Sequence, residues 1–286
     1  MTQTQYILTL SCRDVRGIVA SVTGFLAEKD GFIIESTQFG DPSTDRFFMR
    51  VSFAAGAGTP SHAALKEAFA AEVGTRFSME WELHDMARKA RVLILCSKQL
   101  HCLNDLMHRY RTGQLPVEIV GVVSNHPDAK SMVDWHGIAF HHLPIENGDK
   151  VAQEAQIWAI AQREQVDVVV LARYMQILSS DLSAKLRGKA INIHHSFLPS
   201  FKGAKPYHQA YDRGVKIIGA TAHFVTDALD EGPIIEQEVT RVDHSFSPEQ
   251  LTAVGQDIEA LVLARALKYH TEHRVLLNGT KTVVFR

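Results

Sequence analysis

Short apolar segments that alternate with helical segments are the feature that most limits how residues 91–286 can fold. Arg91–Cys96 and Val166–Leu171 are rich in β-branched and aliphatic residues, and Leu100–Arg111 and Val151–Glu164 have helical spacing. Strands this apolar are typical of a parallel sheet that is covered by helices on both faces. The sequence therefore predicts a mostly parallel α/β domain.

The first 84 residues have a different pattern. Two helical segments, the first following Asp14 and the second starting near Ala63, are interleaved with four candidate strands. These strands are Tyr6–Ser11, Phe32–Phe39, Arg46–Phe53 and Phe77–Leu83. The order βαββαβ predicts a ferredoxin-like domain. We interpret residues 85–90, which are short and charged, as a linker, so the predicted domains are 1–84 and 91–286.

Charge and cysteine content exclude several classes of partner and location. Lys plus Arg is 30 and Asp plus Glu is 32, which gives a net charge of −2 and no strong positive field for nucleic acid or a membrane surface. No apolar run reaches the roughly 20 residues that span a bilayer, and the N-terminal residues show no secretory signal. Three cysteines without a Cys-x-x-Cys pair fit a reducing compartment. We expect a cytoplasmic protein without nucleic-acid or membrane partners.

The segment Ala190–Gly203 is the densest cluster of functional residue types. Residues two apart in a strand share a face, so Asn192 and His194 project together from the predicted strand Ala190–His194. Ligands bind at the carboxyl ends of strands in open α/β sheets. There, an amide can hydrogen-bond a developing oxyanion and an imidazole can transfer a proton.

A second segment places His223 on a strand that runs into an acidic turn containing Asp230 and closed by Gly232-Pro233. A carboxylate held in such a turn can orient His194 and activate water. Each residue alone has a structural alternative, because a strand-end histidine is often only hydrogen-bonded and an acidic residue before Gly-Pro often only shapes the turn. The two segments together are more specific than either.

Together these segments resemble the formyltransferase family that uses 10-formyltetrahydrofolate. The matching motifs are Asn192-x-His194-x-Ser-x-Leu-Pro199 and His223-Phe-Val-x-x-x-x-Asp230-x-Gly-Pro-Ile. The resemblance covers roughly residues 90–270. It implies that Asn192, His194 and Asp230 are catalytic and that His223 and Thr221 support them.

The resemblance also implies a folate pocket and no cofactor or metal, since 10-formyltetrahydrofolate is the substrate. One wall is expected in the segment after Val166–Leu171 and the other in the turn before Asp230. The candidate pocket residues are Leu171, Tyr174, Met175, Ile177, Leu178, Val225, Asp227 and Leu229.

One difference from the family narrows the range of acceptors for the formyl group. Glycinamide ribonucleotide formyltransferases carry a Gly- and Ser-rich loop after the first strand of this domain. The backbone N–H groups of that loop bind a phosphate. In this chain the place is taken by Cys96–Asp105, which contains no glycine. The N-terminal unit, in turn, resembles an ACT domain. The combination resembles the deformylase branch of the family, which implies hydrolysis of 10-formyltetrahydrofolate to formate and tetrahydrofolate, a C–N amide hydrolase activity within one-carbon and purine metabolism.

Three alternatives remain open at this stage. A related transferase would pass the formyl group to a small amine. A metal-dependent amidohydrolase would use histidines such as those at 141, 142, 194, 195 and 223, but no His-x-His or His-Glu-x-x-His spacing occurs. A non-catalytic sensor would bind an amino acid through the ACT unit alone.

The ACT resemblance bears on assembly. ACT domains commonly pair edge to edge and bind amino acids where they pair. We therefore expect a homodimer or homotetramer. Binding of an amino-acid effector and a purely structural role in assembly are both open.

Overall fold

The computed structural model describes residues 4–198 and 206–286. The chain forms two compact units. Unit 1 runs to Lys89 and also takes in Glu272–Asn278 and Val283–Arg286, whereas unit 2 spans Ala90–Thr271 with Gly279–Thr282. Within the described part of the chain, no helix has the length and apolar character that crossing a membrane requires.

Unit 1 contains the predicted βαββαβ order. Its elements are β1 Gln5–Arg13, α1 Ile18–Glu28, β2 Gly31–Asp41, β3 Arg46–Ala55, α2 His62–Phe69 and β4 Glu80–Asp85. The strands form an antiparallel sheet in the order β2-β3-β1-β4. The last strand begins three residues later than Phe77, the predicted start, because a π-helical turn at Ala70–Gly74 extends α2 and Phe77 packs against the core before the strand begins.

The core of unit 1 lies between this sheet and its two helices. α1 buries Val22 and Leu26, α2 buries Phe69, and the sheet contributes side chains such as Leu8 and Phe53, all of them at most 2 % exposed. Burial of a large apolar side chain contributes roughly 1.5–3 kcal/mol. The helical spacing read from the sequence therefore identifies the faces that stabilise this unit.

The C-terminal residues differ from their predicted place in the second domain. The buried Arg50 guanidinium donates to the Glu272 carbonyl oxygen at 3.1 Å and to the Glu35 carboxylate at 2.6 Å. Asn278 Nδ2 donates to Asp41 Oδ2 at 2.7 Å. The contacts of Arg50 with Glu272 and of Asn278 with Asp41 join residues more than 200 positions apart in sequence, which is why local pattern did not reveal them.

Unit 2 is built on a seven-stranded sheet in the order β11-β10-β9-β8-β5-β6-β7. The strands are β5 Arg91–Cys96, β6 Glu118–Ser124, β7 Phe140–His142, β8 Val168–Ala172, β9 Ala190–His194, β10 Ile217–Phe224 and β11 Ile234–Arg241. The five strands β5 to β9 are parallel, and β10 runs antiparallel to both β9 and β11. The predicted mostly parallel α/β fold is confirmed.

The helices of unit 2 connect and cover these strands. They are α3 His101–Arg111, α4 Lys130–Trp135, α5 Lys150–Arg163, α6 Ser180–Lys185, α7 Pro206–Asp212 and α8 Pro248–Thr271. After α8 the chain forms a separate hairpin of β12 Val275–Asn278 and β13 Lys281–Val284. Strands β5 and β8 lie side by side at the point where the strand order reverses. The strands that follow β5 extend the sheet in one direction, and those that follow β8 extend it in the other. Such a switch point is where open α/β sheets form a crevice for ligands.

Candidate active site

Strands β9 and β10 bring the two motif segments together. In their antiparallel register His223 lies opposite Asn192, and Thr221 lies opposite His194. Directly opposite residues on one face of such a pair are close enough for their side chains to touch. The period-two argument that placed Asn192 and His194 on one face therefore also accounts for the position of His223.

Asp230 completes the group from the turn between β10 and β11. Its Oδ2 lies 3.2 Å from His194 Nδ1, and its Oδ1 lies 3.6 Å from His223 Nε2. Burial alone would raise the pKa of Asp230, but the hydrogen bonds and positive charge of the two histidines outweigh burial and hold that pKa well below its usual range. The carboxylate is therefore ionised at neutral pH, beside two imidazoles.

Hydrogen bonds fix the orientation of each imidazole. His223 Nδ1 lies 2.9 Å from the Phe224 carbonyl oxygen, which can only accept, so Nδ1 carries the hydrogen. In the neutral ring Nε2 then accepts from Asn192 Nδ2 at 3.3 Å, whereas in the protonated ring Nε2–H faces Asp230 Oδ1 at 3.6 Å. His194 Nε2 is buried and has no hydrogen-bond partner among the described residues. This nitrogen and the Asn192 amide are the groups that can meet a reacting oxygen.

Gly232 is required by the backbone around Asp230. A Cβ at this position would lie 1.7 Å from the Phe224 carbonyl oxygen, which also orients His223. Gly232→Ala must therefore displace the turn that carries Asp230, and a shift of about 1 Å can cost ~10²-fold in rate. We expect a loss of that size in kcat, measured beside Gly24→Ala, where an added Cβ meets nothing within 4 Å. Equal activity of the two variants would contradict this assignment.

A cavity of about 260 Å³ opens beside these side chains. All eight residues predicted to form the folate pocket line it, together with Asn192, His194, His223 and Asp230. The eight residues are Leu171, Tyr174, Met175, Ile177, Leu178, Val225, Asp227 and Leu229. The structure thus brings both predicted walls to one cavity, while the ligand remains a prediction. Pro199, the last residue of the first motif, lies outside the described residues.

Thr221, which was predicted to support the catalytic residues, does not line the cavity and instead contacts the backbone that follows β9. Its fully buried hydroxyl donates to the Ser196 carbonyl oxygen at 2.9 Å and accepts from the Leu198 N–H at 3.1 Å. Gln237 Nε2 donates to the same hydroxyl at 2.9 Å and to the Leu198 carbonyl oxygen at 3.1 Å. Sequence reasoning missed Gln237, because its role depends on the pairing of β10 with β11.

The wall after β8 is held by side chains from other elements, which the sequence did not identify. Ser97 Oγ accepts from the Met175 N–H at 3.1 Å and donates to Asn125 Oδ1 at 2.7 Å. The buried Glu154 carboxylate accepts from the Ser179 N–H at 2.8 Å. Both contacts lie within the compact unit 2, and both hold the loop in the shape that forms the cavity wall.

A second buried polar group lies behind the cavity at the carboxyl ends of β5 and β8. The Glu259 carboxylate is 1 % exposed, lies 2.7 Å from His101 Nε2 and accepts from the Tyr207 hydroxyl at 2.6 Å. Arg173 Nε lies 3.4 Å from the same carboxylate and donates to Gln99 Oε1 at 2.8 Å. We call these five residues the Glu259 cluster.

The part of the chain that the structure describes contains one group with metal-ligand geometry, and it differs from the set considered from the sequence. His101, Cys102 and Glu259 place ligand atoms within 4.8 Å of one another. However, the Arg173 guanidinium lies 3.4 Å from Glu259, and this positive charge opposes a divalent cation. Burial raises the pKa of Cys102, which disfavours the thiolate that a metal needs. His141 and His142 lie on the sheet's edge strand β7, four strands from β9.

His195 is expected to make the stability of the chain sensitive to acid. Burial, aided by Arg173 and His194, lowers its pKa to about 4, while Glu259 and Asp230 act in the opposite direction. The unfolded chain then binds a proton more readily, so stability present above pH ~6.5 falls as pH drops towards 4, by at most about 3 kcal/mol. Denaturant titrations at pH ~6.5 and at pH ~4 should show that the free energy of unfolding falls less in His195→Gln than in the wild-type protein. An identical loss in both proteins would contradict the assignment.

Comparison with known proteins gives consistent results over the whole chain. The sequence profile of the family described as Formyl transferase matches residues 90–267. The formyltetrahydrofolate deformylase of Corynebacterium sp. (strain P-1) is 51 % identical over 284 residues, which cover 99 % of each chain. That of Bacillus subtilis (strain 168) is 46 % identical over 97 % of this chain and 93 % of its own length. The crystal structure of formyltetrahydrofolate deformylase from Burkholderia mallei superposes with a TM-score of 0.94 at 53 % identity, covering 99 % of this chain and 100 % of that chain.

Proposed function

The chain belongs to the formyl transferase family and, within it, to the formyltetrahydrofolate deformylases, and from this premise we propose how its own residues carry out the reaction. The activity is hydrolysis: 10-formyltetrahydrofolate and water give formate and tetrahydrofolate. The arrangement of Asn192, His194 and Asp230 around one cavity is the observation that carries the residue assignment. It supports the roles that the family resemblance implied.

The substrate binds with its pterin between the two walls of the cavity. The walls are largely apolar, and pockets of this kind bury flat ring systems while a few polar groups fix their orientation. This placement directs the formyl oxygen towards the Asn192 amide and His194 Nε2. Both groups can then stabilise negative charge that develops on that oxygen.

Attack by water forms the first new bond. Asp230 orients the water and accepts one of its protons as the water oxygen bonds to the formyl carbon, so the carbonyl oxygen becomes an oxyanion. Asn192 Nδ2 and protonated His194 hold that oxyanion. Before the attack, the ionised Asp230 carboxylate, 3.2 Å from His194 Nδ1, stabilises the imidazolium that this step requires.

Collapse of the tetrahedral intermediate breaks the bond between the formyl carbon and N10. The leaving nitrogen takes a proton from His194 directly or through a water molecule, which yields tetrahydrofolate. The proton that Asp230 took from the attacking water passes to His194 through a water molecule, which restores both residues, and formic acid loses its remaining proton to leave formate. Atoms balance with one water consumed, and no electron transfer occurs.

Water is the acceptor because the loop after β5 offers no cradle for a phosphate-bearing amine. Ser97 is engaged with Asn125 and Met175, and Gln99 accepts from Arg173, so side chains fill the place where backbone N–H groups would have to approach a ligand. The amine-acceptor alternative is not favoured, and the deformylase names of the close relatives support hydrolysis.

The finer roles complete the proposal. Water activation needs no metal, since Asp230 and His194 supply both proton acceptor and proton donor. Formate and tetrahydrofolate serve one-carbon metabolism, including purine synthesis, in the cytoplasm. Unit 1 is the assembly domain of a homodimer or homotetramer and the candidate site for an amino-acid effector. The exposed Phe32 and Ile34 on its edge strand β2 support that assembly role.

The test is an assay with purified protein, 10-formyltetrahydrofolate and no amine. One formate and one tetrahydrofolate should appear per substrate consumed, and activity should survive exhaustive chelation. Turnover that begins only when an amine is added would make the protein a transferase. Activity that chelation abolishes and a divalent cation restores would overturn the metal-free mechanism.

A further inference from the structure

Arg173 is a buried guanidinium that the mechanism above does not use. Its side chain is 8 % exposed, and the residue is one of those that line the cavity beside His194 and His195. It directly follows β8 at the switch point of the sheet. Burying a cation is costly unless it is paired, so its presence here calls for a function.

Among the described residues, the hydrogen bond and the ion pair of the Arg173 guanidinium both involve Nε. Nε donates to Gln99 Oε1 at 2.8 Å and lies 3.4 Å from Glu259 Oε2. Neither terminal nitrogen has a hydrogen-bond partner among residues 4–198 and 206–286. A guanidinium that is held at Nε and free at its terminal nitrogens presents the planar, two-pronged donor set that matches a carboxylate.

The backbone of Arg173 supports the same interpretation. Its φ is 61°, in the left-handed region that non-glycine residues rarely adopt. Such conformations cost free energy and persist only where surrounding contacts hold them. They concentrate at functional sites. Asp230, on the opposite wall of the cavity, shares this feature with a φ of 57°.

Hydrolysis creates an electrostatic problem that transfer to an amine does not. Its product formate is an anion, and it lies beside Asp230, which is ionised again once the proton taken from water has passed to His194. Two like charges held in one cavity repel each other strongly when they are shielded from water. His195, next to Arg173, cannot neutralise formate because its imidazole remains uncharged at neutral pH.

We propose that Arg173, anchored by Glu259 and Gln99, is the binding site for the formate that hydrolysis releases, its two terminal nitrogens donating in parallel to the two carboxylate oxygens. This inference rests on the proposed function for the origin of the formate. Gln99 and Glu259 are positioning residues that fix the plane of the guanidinium. Formate held there is drawn away from Asp230 as tetrahydrofolate leaves.

The test measures binding of sodium [¹³C]formate to the full-length protein without folate, by NMR line broadening at constant ionic strength. Wild-type protein should bind formate saturably, and Arg173→Gln should weaken binding at least tenfold, because charged hydrogen bonds are each worth ~1.5–3 kcal/mol. Arg173→Lys should also bind more weakly, since an ammonium lacks the paired donors. If Arg173→Gln fails to fold, the formate affinity of Arg173→Lys decides the test.

Two further variants separate this inference from the catalytic assignment. Asp230→Asn should be inactive yet bind formate at least as tightly as wild type, because a like charge has been removed. Arg265→Gln, which removes an arginine that pairs with Glu238 outside the cavity, should leave formate binding unchanged. Unsaturable binding to wild type, or Arg173→Gln binding within twofold of wild type, would overturn the proposal. Failure of the proposed function would instead appear as absent hydrolysis with formate binding intact.

Discussion

Replacing Asp230 with asparagine is expected to lower kcat by roughly 10²–10⁴-fold, the range typical for loss of a general base. The amide cannot accept the proton of the attacking water, and it cannot stabilise an imidazolium at His194, 3.2 Å away. Asparagine is the better test than alanine because it tolerates the left-handed backbone found here, where φ is 57°. Single-turnover release of formate measures the effect without interference from product release.

Asp257→Asn is the matched control for this change. It removes a carboxylate from α8 that does not line the cavity, so its kcat should stay within twofold of wild type. A thermal melt of both variants checks that each is folded. If folded Asp230→Asn turned over within tenfold of wild type, Asp230 would not be the base and the mechanism would be wrong.

Asn192→Ala is expected to lower kcat by ~10²–10³-fold, the usual cost of losing one oxyanion donor. The change also removes the 3.3 Å contact of Asn192 Nδ2 with His223 Nε2, so His223 keeps only its contacts with the Phe224 carbonyl oxygen and Asp230 among the described residues. Because the amide acts mainly on charge that develops during attack, KM should change far less than kcat. Steady-state kinetics over a range of 10-formyltetrahydrofolate concentrations provides both values.

Asn104→Ala on α3 is the control for this second change, because that side chain is exposed and does not line the cavity. Its kcat and KM should both match wild type. A rise in KM with unchanged kcat in Asn192→Ala would show that the amide contributes uniform binding and no transition-state stabilisation.

Local sequence pattern was sufficient for the fold class and for the shared face of Asn192 and His194, whereas the family resemblance implied that His223 and Asp230 join them. Period-two spacing set the shared face of Asn192 and His194, and apolar runs marked the strands that carry them. The folate-wall residues could be named only through the family resemblance, yet all of them line the cavity.

The Glu259 cluster could not be found in this way. Arg173 and Glu259 are 86 residues apart in the sequence and meet only in the folded chain, where α8 packs against β9, β10 and α3. The isolated residue types carry no signal, since a glutamate on a helix is normally a solvated side chain. The C-terminal residues escaped the domain prediction similarly, because the Arg50 contact to Glu272 spans 222 positions.

The central claim is that water replaces an amine as acceptor at Asp230 and His194. The most direct measurement is a single turnover of 10-formyltetrahydrofolate in H₂¹⁸O with a large excess of a small primary amine, followed by mass spectrometry of the products. The account predicts one ¹⁸O atom in each formate, no formylated amine, and loss of labelled formate in Asp230→Asn. Formylated amine in place of labelled formate, or labelled formate at the wild-type rate from Asp230→Asn, would contradict it.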